Sequence, residues 1–162
     1  MKNKTEKKPK LKYLDVIEKY AGDILANPKF QSQKNFFQHG RISTYEHVVL
    51  VANKSISIAR HLPFKVKEDS LVRAALLHDY YLYDWHHPGK GHRLHPFLHG
   101  YWAKDNAVRD YGITKREQNS INHHMFPLTP IPPLHLEGWI ITIADKTSAV
   151  KESTKRRKKK QQ

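Results

Sequence analysis

Leu71-Val72-Arg73-Ala74-Ala75-Leu76-Leu77-His78-Asp79 is the stretch on which the rest of the chain depends. An apolar run broken only by Arg73 predicts a core helix. It closes on a histidine and a carboxylate, then enters the aromatic segment Tyr80-Tyr81-Leu82-Tyr83. A histidine beside an aspartate at the end of a buried helix makes a metal-binding corner. Imidazole nitrogen and carboxylate oxygen together suit Fe, Mn, Zn and similar divalent ions. The dipeptide alone decides little; further ligands must recur at spacings that reach the same point.

Working upstream, Ser43-Thr44-Tyr45-Glu46 is a capping box, with hydroxyl and carboxylate three apart. It launches a helix to about His61, stopped by Pro63, with Val48, Val51, Ala52, Ile56 and Ala59 as its apolar face. His47 lies in its first turn and shares a face with Val51. Before it, Leu11, Leu14, Ile17, Tyr20 or Ala21, and Ile24-Leu25 recur at helical spacing as far as Asn27-Pro28. Phe30, Phe36 and Phe37 follow as expected core anchors around a short helix or turn. Asp69 or Ser70 is the expected cap of the central helix.

Downstream, Asp84 to Arg93 reads as a loop on account of Pro88, Gly89 and Gly91. A helix resumes at about Pro96 and runs through His99, Ala103 and Ala107 to Tyr111, with Gly112 as its C-terminal cap. Thr114 and Glu117 form a second capping box for a helix that carries Ile121 and ends around His123-His124. Pro127, Pro130, Pro132 and Pro133 exclude regular structure from the next loop. A last helix extends from about Leu136 to Ala149. No run of alternating strands stands out. The expected fold is all-α, a single bundle of six or seven helices spanning residues 11–152, with a basic leader at 1–10 and a basic tail at 153–162.

Composition narrows the chemistry. The 162 residues contain no cysteine, which excludes disulfides, thiolate metal sites and a cysteine nucleophile, whereas twelve are histidine. No window approaches the ~20 apolar residues of a membrane span. The Lys-rich start lacks the apolar core of a secretory signal, so a cytoplasmic location is expected. The formal net charge of +14 is concentrated at the two ends, Lys2 to Lys12 and Lys151 to Lys160. Such blocks usually behave as solvated tails, with an anionic partner as the alternative.

Five predicted helices each carry a histidine or aspartate: His47, His78-Asp79, His99 with His95 one turn before it, His123 or His124, and Asp145. A lone buried histidine is ordinarily a hydrogen-bonded core residue. Asp145 is harder to explain that way. It follows Trp139-Ile140-Ile141-Thr142-Ile143-Ala144, and a carboxylate buried there needs a partner. Lys146 or a neighbouring helix end would serve, but so would a metal ion already surrounded by imidazoles.

The order His47, His78-Asp79, Asp145 resembles that of the HD superfamily of metal-dependent phosphohydrolases, over about His39 to Glu152. His47-Val48-Val49-Leu50-Val51-Ala52 is similar to the family's first-histidine helix, and Ala74-Ala75-Leu76-Leu77-His78-Asp79 to its His-Asp helix. The resemblance implies a core site of His47, His78, Asp79 and Asp145. For members with two ions it implies two further histidines. His99-Gly100-Tyr101-Trp102-Ala103 resembles the helix bearing the first, and Ile121-Asn122-His123-His124 the region of the second. His124 fits best there, His123 is the alternative, and some members use both. Asp79 would bridge two ions, and the implied cofactor is one or two divalent ions of Fe, Mn, Zn, Co or Mg. The chain departs from the cyclic-dinucleotide phosphodiesterases. His124-Met125-Phe126-Pro127 stands in place of their Gly-Tyr-Pro, and Tyr80-Tyr81-Leu82 in place of Ile-Gly-Lys. It is closer to small bacterial HD-domain proteins.

The implied activity is hydrolysis of a phosphomonoester or phosphodiester of a small metabolite, a nucleotide first among candidates, by metal-activated water. Asp79, with His95 and His39 as proton donors or phosphate holders, would be the catalytic residues. Arg41, Lys54, Arg93 and Lys146 are candidates for balancing phosphate charge. Asp84 to His92 is a candidate rim. Two other readings stand beside this one. The same ligand set resembles di-iron HD oxygenases, and the basic ends would suit a non-enzymatic nucleic-acid-binding or regulatory protein.

Overall fold

The computed structural model describes residues 11–39, 42–83 and 94–160, with the side chains of residues 38, 39 and 152–160 left aside. His39, Arg41, Arg93 and the expected rim from Asp84 to His92 therefore lie wholly, or with their side chains, outside the described residues. Among those described, seven helices account for nearly all regular structure. They are α1 (Leu14–Ala26), α2 (Pro28–Gln31), α3 (Thr44–His61), α4 (Glu68–Leu77), α5 (His95–Tyr111), α6 (Lys115–His123) and α7 (Leu136–Lys160). The all-α bundle expected from the sequence is what forms.

The central helix is α4. Leu71, Val72, Ala74, Ala75, Leu76 and Leu77 are all fully buried. α4 packs against α1, α3, α6 and α7. A helix enclosed in this way leaves little room for polar groups except at its ends, which is where His78 and Asp79 fall. Arg73 escapes the core by a forked pair of hydrogen bonds to Asp23 on α1, at 2.7 and 3.0 Å. Both capping boxes form as the sequence predicts. Ser43 and Glu46 close the start of α3, and Thr114 and Glu117 the start of α6. Gly112 caps α5 in the left-handed conformation, with φ of 57°.

Several local expectations are corrected. α4 begins at Glu68 after Lys67, with no side-chain cap from Asp69 or Ser70. The Lys67 N–H instead donates to Glu137 Oε1 of α7 at 2.8 Å, so a distant carboxylate does the capping. Phe30 is a buried anchor, but Phe37 is 51% exposed. Phe37 belongs to a small antiparallel ribbon, β1 (Phe37–His39) with β2 (Ile42–Ser43), that the sequence pattern did not suggest. Two- and three-residue strands are too short for an alternating pattern to register.

The last helix does not stop at Ala149 but continues to Lys160. Lysine and arginine are good helix formers, and no glycine or proline intervenes. α7 also turns one side outward: Ile140, Ile141 and Ala144 are buried, whereas Trp139 and Ile143 are 38% and 51% exposed. No helix among the described residues is long and apolar enough to cross a membrane.

Candidate metal centre

Five helices converge on one buried point. His47 arrives from the first turn of α3, where the capping box fixes the entry of the chain. His78 is the C-terminal cap of α4, and Asp79 follows it. His99 lies near the start of α5, His124 caps the end of α6, and Asp145 sits midway along α7. His47, His78 and His124 are fully buried, and Asp79 and His99 nearly so. The chain thus places four imidazoles and two carboxylates in a space closed by the bundle.

Asp79 is the middle of the cluster, and its two oxygens face different partners. Oδ2 lies 3.7 Å from His47 Nε2 and 3.5 Å from His78 Nε2. Oδ1 lies 3.3 Å from His99 Nε2 and 3.8 Å from His124 Nε2. On the first side Asp145 Oδ1 adds to the set, 3.0 Å from His47 Nε2 and 3.7 Å from His78 Nε2. His47, His78 and Asp79 form one group whose ligand atoms all lie within 4.8 Å of one another, and Asp79, His99 and His124 form a second. A third such group joins His78, His124 and Asp145 across the two.

His78, His99 and His124 are held in one tautomer by the backbone. His78 Nδ1 donates to the Ala75 carbonyl at 2.7 Å, His99 Nδ1 to His95 at 2.8 Å, and His124 Nδ1 to Ile121 at 2.7 Å. A carbonyl only accepts, so each Nδ1 carries the proton and each Nε2 of a neutral ring offers its lone pair to the centre. Metal-binding histidines are commonly oriented by this kind of outer hydrogen bond.

The electrostatics are those of a site that wants a cation. Burial alone would raise both carboxyls. The imidazoles of His78, His99, His124 and His47 outweigh it at Asp79, and those of His47 and His78 at Asp145, where the carboxyl falls well below its ordinary range. Burial together with neighbouring His99 and His78 pushes His124 down to about 3, which keeps its ring neutral. For His78 burial works against the charge, but Asp79 and Asp145 outweigh it and the shift is upward. His78 Nε2 is buried without a hydrogen-bond partner among the described residues. Ligand atoms bound at about 2.1 Å to one ion stand roughly 3.0–3.5 Å apart, and the spacings here fall around that range. The donor set, the oriented lone pairs and the orphaned Nε2 fit a divalent ion, or two sharing Asp79.

The remaining candidates divide. His123 is not in any of these groups; it is partly exposed, and its Nε2 faces Asn122 Nδ2 at 3.3 Å. At the end of α6 a step of one residue turns the ring away from the centre. His95 does not join the ligand groups either, but stands beside them. Its ring stacks on His99 with centroids 4.7 Å apart, and Tyr81 meets it edge-on at the same distance. Tyr83 Oη lies 2.6 Å from His95 Nδ1. Burial and the charge of Asp79 raise the Tyr83 phenol, so it keeps its proton and donates. Tyr83 escaped the sequence reading as a site residue, although its signal was present in the aromatic run after His78-Asp79. Lys146, a candidate phosphate binder, donates to the main-chain oxygen of His124 at 3.1 Å and so ties α7 to the end of α6.

Residues 44–150, about two-thirds of the chain, match the family model described as HD domain. Neither the curated proteins nor the solved structures contain a significant match.

Proposed function

The chain belongs to the HD domain family, whose members are generally metal-dependent hydrolases, and from that premise we propose that this centre cleaves a phosphoester of a small metabolite, a nucleotide first among them. The observation that carries the reading is the division of Asp79 between two histidine pairs, at 3.5 and 3.7 Å through one oxygen and 3.3 and 3.8 Å through the other. His47, His78, Asp145 and Oδ2 of Asp79 would hold one divalent ion. His99, His124 and Oδ1 of Asp79 would hold a second. Such ions supply a water acidic enough to ionise near neutral pH and charge to balance phosphate oxygens.

The chain's own groups do the rest. The Nδ1–H bonds to backbone carbonyls hold the imidazoles in register before substrate arrives, so little reorganisation is needed at reaction. With Tyr83 donating to its Nδ1, a neutral His95 carries its proton on Nε2. That nitrogen would hold a phosphate oxygen or protonate the leaving oxygen. The shell of apolar helices around the ligands excludes bulk water and strengthens each of these interactions.

Elemental analysis of the purified protein, followed by a screen of nucleotides and other phosphoesters with Mn, Mg, Fe and Co, tests the reading. Metal-dependent hydrolysis lost in His78→Ala is the expected result. Hydrolysis that survives His78→Ala overturns it. A mixed-valence di-iron signal by electron paramagnetic resonance, with no hydrolysis, would identify an oxygenase instead.

A further inference from the structure

The helix that brings Asp145 into the centre is also the helix that carries the C-terminal basic run. α7 is continuous from Leu136 to Lys160. At 1.5 Å per residue, Lys155 to Lys160 lie about 15–22 Å along its axis from Asp145. This extension contains Lys151 and the unbroken run Lys155-Arg156-Arg157-Lys158-Lys159-Lys160, against a single acid, Glu152. Together with the N-terminal Lys cluster it accounts for most of the +14 charge of the chain.

On a helix, consecutive positions are turned by about 100°, so a run of this length places cations on every side. Residues 151–160 themselves include no apolar residue to bury in a lipid interface. What remains is recognition by charge alone, which suits the phosphate backbone of a nucleic acid.

We propose that residues 151–160 of α7 are a docking arm for a nucleic-acid strand, binding its phosphates in a sequence-independent manner. The arm is joined without interruption to the helix that lines the metal centre, so a docked strand is held within a few nucleotides of it. Docking uses none of the candidate metal ligands and stands whether or not the hydrolytic reading does.

The test is fluorescence anisotropy of the full chain with a labelled oligothymidylate, in EDTA, between about 50 and 200 mM salt. In the variant, Lys155→Gln, Arg156→Gln, Arg157→Gln, Lys158→Gln, Lys159→Gln and Lys160→Gln are combined; glutamine keeps the helix propensity. Loss of six phosphate contacts should lower the salt-dependence slope by about 4 and weaken binding at the lowest salt by at least ~100-fold. The corresponding Lys→Gln changes at positions 2–10 should leave most of the slope in place. Unchanged affinity and slope in the C-terminal variant overturn the proposal, as does a loss found only in the N-terminal one. Binding to phosphatidylglycerol vesicles as tight as to the oligonucleotide overturns it in favour of a membrane surface.

Discussion

His99 Nε2 stands 3.0 Å from His124 Nε2, while each ring gives its Nδ1 proton to a carbonyl of its own helix, His95 and Ile121 respectively. Two neutral rings so arranged point lone pair at lone pair. A shared proton or a metal ion removes that repulsion, and the position of His124 near neutral-ring chemistry down to about pH 3 favours the ion. A divalent ion at 100 times its dissociation constant should therefore stabilise the fold by about 2.7 kcal/mol, or raise Tm by about 5–10 °C. The sign with pH follows from His124 and His78. The folded value of His124 lies below the unfolded ~6.5, so falling pH opposes folding of the metal-free chain below ~6.5, while the folded value of His78 is raised, so a metal must displace a proton there. The Tm gain with Mn or Zn should be fullest at alkaline pH and shrink as pH falls through the raised His78 value. A gain independent of pH, or absent with every divalent ion, would contradict the assignment.

Asp79→Asn separates a bridging role from a purely structural one. The amide keeps the shape of the side chain but loses the charge and one of the two acceptor oxygens. Metal content should drop to one ion per chain or none, and hydrolysis by at least ~100-fold, since even outer-shell partners of a metal are worth 10–100-fold. Circular dichroism would show that the fold survives. Two ions per chain in this variant would mean that Asp79 does not connect the sites.

His123 and His124 give a contrast between neighbours. His123→Ala removes a partly exposed ring outside the ligand groups, and should change stability by no more than ~0.5 kcal/mol and leave metal content alone. His124→Ala removes a buried ring that faces both His99 and Asp79. It should cost the second ion while His47, His78 and Asp145 keep the first. Elemental analysis of both variants decides the point.

Gly100 lets α5 come close to the end of α6. A Cβ there would meet Asn122 O at 3.0 Å and Ile121 O at 3.1 Å, both of them main chain. The Ile121 oxygen is also the one that holds His124. Gly100→Ala gains up to ~1 kcal/mol of helix propensity but overpacks at a cost of ~1–3 kcal/mol. Because a helix end yields less readily than a side chain, the net expectation is a loss of roughly 1–2 kcal/mol, with weakened binding at His99 and His124. Thermal unfolding with and without metal measures both; a stabilised variant with normal metal content would refute the coupling.

How much of this was legible in the sequence depends on the range of the interaction. The helices around His47, Asp79 and Asp145 follow from local rules: capping boxes, apolar periodicity, a glycine cap, prolines that stop. The grouping of six candidate ligands was what the resemblance to the HD superfamily implied. What the sequence concealed lies between elements. The cap of α4 comes from Glu137, seventy residues from Lys67, and no local pattern encodes a carboxylate that far away. The exposure of Phe37 turns on a single residue of register. Tyr83 becomes a site residue only once α5 has folded back to set His95 against it.

Glu137 offers the test of that hidden layer. Its Oε1 accepts from the Lys67 N–H at 2.8 Å and its Oε2 from Arg116 at 3.0 Å, so one buried carboxylate joins α4, α6 and α7. Burial raises its carboxyl, but the bonds from Lys67 and its own backbone N–H, with Arg116, outweigh this and hold it below its ordinary value. For a depressed carboxyl the stabilisation is complete above the unfolded value of ~4.3 and is lost as pH falls through the folded one. Glu137→Gln retains an oxygen for Lys67 but leaves Arg116 without its charge partner, a loss of ~1–3 kcal/mol at pH 7. Urea midpoints for the two proteins should therefore differ most at neutral pH and converge below pH ~4, because the native carboxyl becomes a neutral acid there as well. Parallel curves across that range would mean that Glu137 acts by shape, with no contribution from its charge.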